Sequence, residues 1–103
     1  MSVLVQSVID LAQYQAGSVV SRIILKNPGG TVTVFAFEAG EGLSEHTAPF
    51  DALVLVVEGE ARVSIAGDEH TVGAGQLLKL PANVPHALKA VERFKMILVM
   101  IKG

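Results

Sequence analysis

GEGLSEHTAPFDALVLVVEG, residues 40–59, is one of two stretches that decide the fold of this chain; the other is GQLLKLPANVPH, residues 75–86. Each stretch pairs a histidine, His46 or His86, with a short apolar run next to glycine or proline. Short apolar runs that are broken by glycine, proline, asparagine and aspartate are typical of all-β sandwiches and barrels. The two stretches therefore predict a small β-barrel that carries both histidines.

The same pattern continues on both sides of these stretches. It predicts nine strands, at residues 19–26, 31–38, 43–48, 52–58, 61–66, 69–72, 76–80, 86–91 and 94–101. Turn residues at 27–30, 59–60 and 66–68 each predict a hairpin. Asp10 is the predicted N-cap of one helical turn over residues 10–15. Because the sequence contains no linker or internal repeat, residues 1–103 are expected to form one domain.

Composition excludes several classes of protein. Half of the 103 residues are apolar and 17% are charged, which is too hydrophobic for disorder. The formal net charge of −2 gives no electrostatic reason to expect binding to nucleic acid or to an anionic membrane. The chain contains no cysteine, so disulfides and cysteine zinc sites are excluded. We find no signal-peptide pattern and no apolar run long enough to span a bilayer, and we expect a cytoplasmic protein.

Two predicted strands, Leu53–Val57 and Met96–Ile101, are apolar at every position. A strand with one solvent-facing side alternates apolar and polar residues, so an unbroken apolar run indicates burial on both faces. One face would fill the barrel, and the other would need a second layer. We expect that layer to be a second copy of the chain in a homodimer. The alternative is that the N-terminal segment partly covers these strands.

The two opening stretches resemble the paired motifs of the cupin family, G-x5-H-x-H-x3,4-E-x6-G and G-x5-P-x-G-x2-H-x3-N. They match at residues 40–59 and 75–90 through three glycines, Pro81 and the two histidines. The resemblance implies a small single-domain cupin with a jelly-roll β-barrel, also called a double-stranded β-helix, and it agrees with a dimer. The chain departs from the motifs at four positions: Ala48 replaces a histidine, Ala52 a glutamate, Asn83 a glycine and Ala90 an asparagine.

Strand parity indicates which side chains would share the barrel interior. If His46 points inwards, as the resemblance implies, Ser44 and Ala48 point inwards with it. On the next strand Ala52 and Val54 take the inner face, and parity turns Asp51 away. The expected pocket is mainly apolar, and we expect it to bind a small organic ligand. Its predicted ligand-binding residues are His46, His86, Ala48, Ala52, Val54 and Met96.

Metal chemistry is the alternative, with His46 and His86 as the candidate ligands. The resemblance implies either three histidines or two histidines with a carboxylate, but both further positions hold alanine. The pair alone would hold iron, manganese, nickel, zinc or copper weakly. Glu41, Glu45, Asp51 or a partner chain could add a ligand, and the thioethers of Met96 and Met100 would suit copper.

Three functional hypotheses follow. The first is a ligand-binding cupin without assured catalysis. The second is a divalent-metal-dependent enzyme of the dioxygenase or isomerase type. The third, which rests on the two fully apolar strands, is an oligomeric structural or sensor module. A metal-free reaction in which a histidine is the general base, as in the sugar epimerases among cupin relatives, is a further conceivable mechanism. His70 is expected on the surface, and sequence does not place Tyr14 in the pocket.

Overall fold

The computed structural model describes residues 4–102, and it confirms the all-β prediction. All nine predicted strands are present, with ends that shift by no more than two residues. The strands are Val19–Asn27 (β1), Gly30–Phe37 (β2), Gly42–His46 (β3), Asp51–Glu58 (β4), Glu60–Ile65 (β5), Asp68–Gly73 (β6), Leu77–Leu80 (β7), His86–Lys89 (β8) and Phe94–Ile101 (β9). Among residues 4–102, no helix is long and apolar enough to cross a membrane.

The strands form two antiparallel sheets that face each other. The first has the order β1-β2-β9-β4-β7, and the second has the order β3-β8-β5-β6. Two predicted hairpins are confirmed, β1–β2 and β5–β6. Ala66 and Gly67, between β5 and β6, both have positive φ, as the tightest hairpin turns require.

The hairpin predicted at Gly59–Glu60 is wrong. β4 pairs with β7 and β9, whereas β5 pairs with β6 and β8, so Gly59 is a corner at which the chain crosses between sheets. A tight turn and a corner both need a glycine with positive φ, and sequence cannot distinguish them. Gly59 has φ 76°, and an added Cβ atom would lie 2.4 Å from the Arg93 carbonyl oxygen.

The predicted helical turn at residues 10–15 is also displaced. A short 3-10 helix covers Val8–Leu11, and Ser7 takes the N-cap position. The Asp10 amide donates a hydrogen bond to the Ser7 carbonyl oxygen at 3.0 Å. Asp10 therefore lies inside the turn. The helix begins three residues earlier than predicted, with Ser7 and not Asp10 as its N-cap.

The core lies between the two sheets. On β4 the residues Ala52, Val54 and Val56 are buried, while Leu53 and Leu55, between them, are only partly buried. The strand thus alternates in burial although it does not alternate in hydrophobicity. Phe37 and Phe94, on β2 and β9, are fully buried in this core and stack with their ring centroids 4.5 Å apart.

The N-terminal segment covers part of the outer face of the five-stranded sheet. Ala12 is buried there against Val34 and Ala36, with Tyr14 and Ile97 packed around them. The other end of this outer face has no cover within residues 4–102 and includes the exposed side chains of Leu25 and Ile101. The N-terminal segment therefore covers only part of the outer face, for which the apolar strands β4 and β9 predicted a complete second layer.

Polar contacts hold the N-terminal segment in place. The Tyr14 hydroxyl donates to Glu58 Oε2 at 3.1 Å, and buried Lys95 donates from Nζ to the Ile9 carbonyl oxygen at 2.6 Å. The Arg93 guanidinium lies 4.5 Å from the Tyr14 ring centroid and forms two hydrogen bonds with Glu38. These hydrogen bonds from Arg93 lower the pKa of Glu38. Burial and the hydrogen bond to Glu58 raise the pKa of Tyr14 to about 12.

Tyr14 makes this attachment measurable, because it is the only tyrosine and the chain has no tryptophan. We expect the ultraviolet absorbance of tyrosinate to titrate with a midpoint near pH 12 in the folded protein, instead of 10.0. Since the folded-state pKa is raised, the stabilisation is present below pH 10 and is lost as the pH rises towards 12. Glu58→Gln should bring the midpoint closer to 10. A wild-type midpoint at the ordinary tyrosine value would contradict the attachment.

Candidate functional site

The antiparallel pairing of β3 with β8 places the two candidate histidines opposite each other. His46 is the last residue of β3, His86 is the first residue of β8, and they are direct partners in the register. His86 is 7% exposed, whereas His46 is exposed to solvent. Their ring centroids are 4.4 Å apart at an angle of 70°. We call these two residues the histidine pair; one ring is inside the barrel wall and the other is at its mouth.

A β-bulge in β3 changes which neighbours share the interior with His46. The register runs from Leu43 opposite Leu88 directly to His46 opposite His86, so β3 carries one residue more than β8. Leu43 therefore faces the interior with His46. The parity prediction for Ser44 is wrong for the same reason, and Ser44 is exposed.

The loop before His86 is tied to the segment after His46 by backbone hydrogen bonds. The Asn83 amide donates to the Ala48 carbonyl oxygen at 2.8 Å, and Asn83 has φ 63°, a conformation that asparagine tolerates. The Ala82 amide donates to Asp51 Oδ1 at 2.9 Å. Asp51 is exposed and engaged in this contact, as its parity indicated, and it does not face the histidine pair.

The histidine pair makes three close contacts whose geometry calls for three protons. His46 Nδ1 lies 2.7 Å from the Ser44 carbonyl oxygen, and His86 Nδ1 lies 3.2 Å from that of Val84. Because a carbonyl oxygen only accepts, both contacts need a proton on Nδ1. The two Nε2 atoms lie 3.1 Å apart, and this contact needs a third proton. Two neutral rings carry only two protons, so the arrangement is complete with one added cation or donated hydrogen.

The histidine pair lies at a cavity of about 50 Å³ inside the barrel, which we call the barrel pocket. Ala48, Ala52 and Met96 line it, as do both histidines. Val54 faces the same interior but is fully buried in the core and is not part of this lining. The remaining lining residues are Leu43, Phe50, Leu80, Leu88, Leu98 and Met100. Among the described residues that line the pocket there is no carboxylate, lysine or arginine, and the two rings are the titratable groups of this set.

Sequence reasoning missed several of these residues for identifiable reasons. Leu43 depends on the bulge, which leaves no signal in the sequence. Phe50 comes from the loop between β3 and β4, where strand parity does not apply. Leu80 and Leu98 line the pocket because of how β4 pairs with β7 and β9. Ala52 is opposite Leu80 on β7 and opposite Met100 on β9. Leu98 lies two residues before Met100 and therefore on the same inner face of β9. This register could not be derived from one sequence.

The histidine pair fits half of the metal site that the resemblance implies. Two nitrogens that bind one ion at about 2.0–2.1 Å must lie within about 4.2 Å of each other, and the 3.1 Å between the Nε2 atoms meets this limit. The other two ligand positions are Ala48 and Ala52. Among residues 4–102, no group of three or more His, Cys, Asp or Glu side chains could hold a metal ion. The complete cupin metal site is therefore not built by these residues.

Other candidate groups lie away from the pocket. Glu41, Glu45 and His70 are not part of its lining, and His70 is exposed on β6 as expected. Tyr14 is on the outer face of the five-stranded sheet, where its hydroxyl donates a hydrogen bond to Glu58. An orienting carboxylate for a histidine general base is not found among the described lining residues, so the geometry does not support that mechanism.

Comparisons with known proteins agree on the architecture. The sequence model of the cupin domain matches residues 33–102. A Streptococcus pyogenes protein of unknown function, SPY1581, is 31% identical over 100% of this chain and 90% of its own length, with a TM-score of 0.93. A cupin 2 conserved barrel domain protein from Leptotrichia buccalis is 39% identical (TM-score 0.88); the match covers 91% of this chain but 46% of that protein.

A third solved structure is more distant. A cupin superfamily protein from Desulfitobacterium hafniense is 25% identical, with a TM-score of 0.86, over 89% of this chain and 84% of its own. A comparison with the curated proteins found no match. The similar structures therefore identify the architecture and not an activity.

Proposed function

The chain belongs to the cupin family, and we propose that its barrel pocket binds a small, mainly apolar organic molecule through the histidine pair. One observation carries this proposal. Two imidazole Nε2 atoms converge at 3.1 Å in an otherwise apolar lining, with one proton fewer than their contacts need. A ligand that donates a hydrogen would complete these contacts.

The size of the pocket limits the buried part of the ligand. A typical small-molecule site measures about 300–1,000 Å³, whereas this cavity measures about 50 Å³. Only a few non-hydrogen atoms therefore fit beside Ala48 and Ala52. Because His46 is exposed at the mouth, a longer ligand would extend into solvent past this ring.

The chemistry of the lining favours a donor over an anion. The Nδ1 protons of both rings point to backbone carbonyl oxygens, so they are not available to a ligand. The described lining offers no arginine or lysine to pair with a carboxylate. The Nε2 lone pairs are free to accept, and an alcohol or an amine with a short aliphatic group is the complementary ligand class.

A metal ion held by the histidine pair is a second candidate, and the same Nε2 contact favours it. The thioethers of Met96 and Met100 line the same pocket, and soft sulfur ligands favour copper among the transition metals. With alanine at both other ligand positions, no reaction step is assigned to such an ion.

A titration with matched probes tests the proposal. We expect isoamyl alcohol and isoamylamine to shift the NMR methyl signals of Met96 and Met100 at millimolar concentration, and isovalerate, of similar shape, to bind at least about tenfold more weakly. Ala48→Phe should fill the pocket and abolish the shifts, whereas Ala39→Phe, in an exposed loop, should leave them unchanged. Equal binding of isovalerate, or binding that survives Ala48→Phe, would overturn the proposal. Copper and zinc salts as further probes test the second candidate.

A further inference from the structure

The segment that leads to His86 crosses between the two sheets and is held by a side chain from β4. It covers residues 81–85 and runs from β7, in the five-stranded sheet, to β8, in the four-stranded sheet. We call it the crossing loop. Its two prolines, Pro81 and Pro85, have no amide hydrogen to donate. The Ala82 amide donates to Asp51 Oδ1 at 2.9 Å.

The other two amides of the crossing loop donate to backbone carbonyl oxygens. The Asn83 amide donates to Ala48 at 2.8 Å, and the Val84 amide donates within the loop, to Pro81, at 3.4 Å. Among the residues that the structure describes, Asp51 is therefore the side chain that accepts from this loop. These three contacts together fix where the loop lies.

The strand register explains why a side chain is needed at this point. The last pair between β4 and β7 joins Ala52 to Leu80. The next pair would join Asp51 to Pro81, but proline cannot donate a hydrogen bond. The Asp51 carboxylate accepts instead from Ala82, one residue further along the chain. The side chain thus continues the connection between β4 and the crossing loop past the proline.

Asp51 also lies between two residues that line the barrel pocket. Phe50 and Ala52, on either side of it in the chain, are part of the lining, whereas the Asp51 side chain points to the crossing loop. In the same loop, the Val84 carbonyl oxygen lies 3.2 Å from His86 Nδ1. A movement of the loop would therefore move the acceptor that keeps a proton on this nitrogen.

From these contacts we propose that Asp51 is a positioning residue for the histidine pair, although it lies outside the pocket lining. By holding the crossing loop, it keeps the Val84 carbonyl oxygen against His86 Nδ1 and leaves His86 Nε2 as an acceptor. Without Asp51, neutral His86 carries its proton on Nε2 and donates to His46, which satisfies the pair without a ligand. This inference rests on the proposed function of the barrel pocket and assigns control of its acceptor to one exposed carboxylate.

Two substitutions of Asp51 test this role. Asp51→Ala removes the acceptor, and long-range proton–nitrogen NMR of the ligand-free variant should show a large fraction of His86 with its proton on Nε2. Isoamyl alcohol should bind at least about tenfold more weakly, the loss typical of groups that orient a histidine ligand. Asp51→Asn keeps an oxygen acceptor and should retain both wild-type properties. Glu45→Gln, which removes an exposed charge next to His46, should change neither.

The position of the His86 proton separates this role from the general stability of the fold. A less stable Asp51→Ala variant with the proton still on Nδ1 would overturn the inference, as would the same proton shift in Glu45→Gln. Because the proton is observed without ligand, failure of the wild type to bind isoamyl alcohol would contradict the proposed function and leave this readout to decide the role of Asp51.

Hydrogen exchange of the wild type covers the case in which Asp51→Ala fails to fold. The Ala82 amide should exchange at least about tenfold more slowly than an unprotected amide, because it is held by the Asp51 carboxylate. In Asp51→Asn this protection should persist. Exchange of the wild-type Ala82 amide at the unprotected rate would overturn the inference.

Discussion

Gly59→Ala is expected to lower the free energy of unfolding by about 3 kcal/mol or more, the range of large single-residue effects. Gly59 has φ 76°, and a residue with a Cβ atom loses about 1–2 kcal/mol in this left-handed conformation. In addition, the new Cβ atom would lie 2.4 Å from the Arg93 carbonyl oxygen and 3.0 Å from the Phe94 Cα atom. Since these are mainly backbone atoms, the corner between β4 and β5 must move to relieve the contact.

Gly40→Ala is the matched control for this prediction. Gly40 is the first glycine of the same motif and has a similar φ of 86°, but an added Cβ atom would meet no atom within 4 Å. Its substitution should therefore show only the conformational loss of about 1–2 kcal/mol. Urea denaturation of both variants measures the difference. Losses that agree to within about 0.5 kcal/mol would show that close approach at Gly59 is unimportant.

Under the second candidate function, a metal ion on the histidine pair, replacement of either histidine by alanine is expected to weaken the binding of copper or zinc roughly 100-fold or more. Groups that only orient a metal ligand change affinity 10- to 100-fold, and loss of one of two direct ligands should exceed this range. The chain provides its own control in His70, which is exposed on β6 and outside the pocket. Calorimetric titration of His46→Ala, His86→Ala and His70→Ala measures the effect. An equal loss in His70→Ala would place the ion elsewhere.

Much of the fold could be predicted because its signals are local. Gly40, Gly59 and Gly75 all adopt positive φ, a conformation that favours glycine. The glycines of the motif therefore mark these backbone positions in the sequence. The apolar runs located every strand to within two residues. The hairpin error at Gly59 has the same origin, since a glycine marks a turn without indicating whether the flanking strands pair or separate.

The candidate site was only partly predictable because it depends on register. Ala48 and Ala52 do lie in the lining, which parity and the motif spacing anticipated. The bulge in β3 turns Leu43, and not Ser44, towards the barrel interior. It depends on the pairing of β3 with β8 and has no local signal in the sequence. The two carbonyl oxygens that fix the protons on Nδ1 belong to Ser44 and Val84, and their positions follow from backbone geometry, not from residue type.

In the proposed binding site both Nδ1 atoms of the histidine pair are protonated, so the two Nε2 atoms can accept one cation or one donated hydrogen. Long-range proton–nitrogen NMR of the metal-free protein at neutral pH measures this directly, with His70 as an internal reference. We predict a protonated Nδ1 in both His46 and His86 and no proton on either Nε2 atom. If either ring instead carries its proton on Nε2 with an unprotonated Nδ1, the pair is complete as a neutral hydrogen bond and the proposed binding site is contradicted.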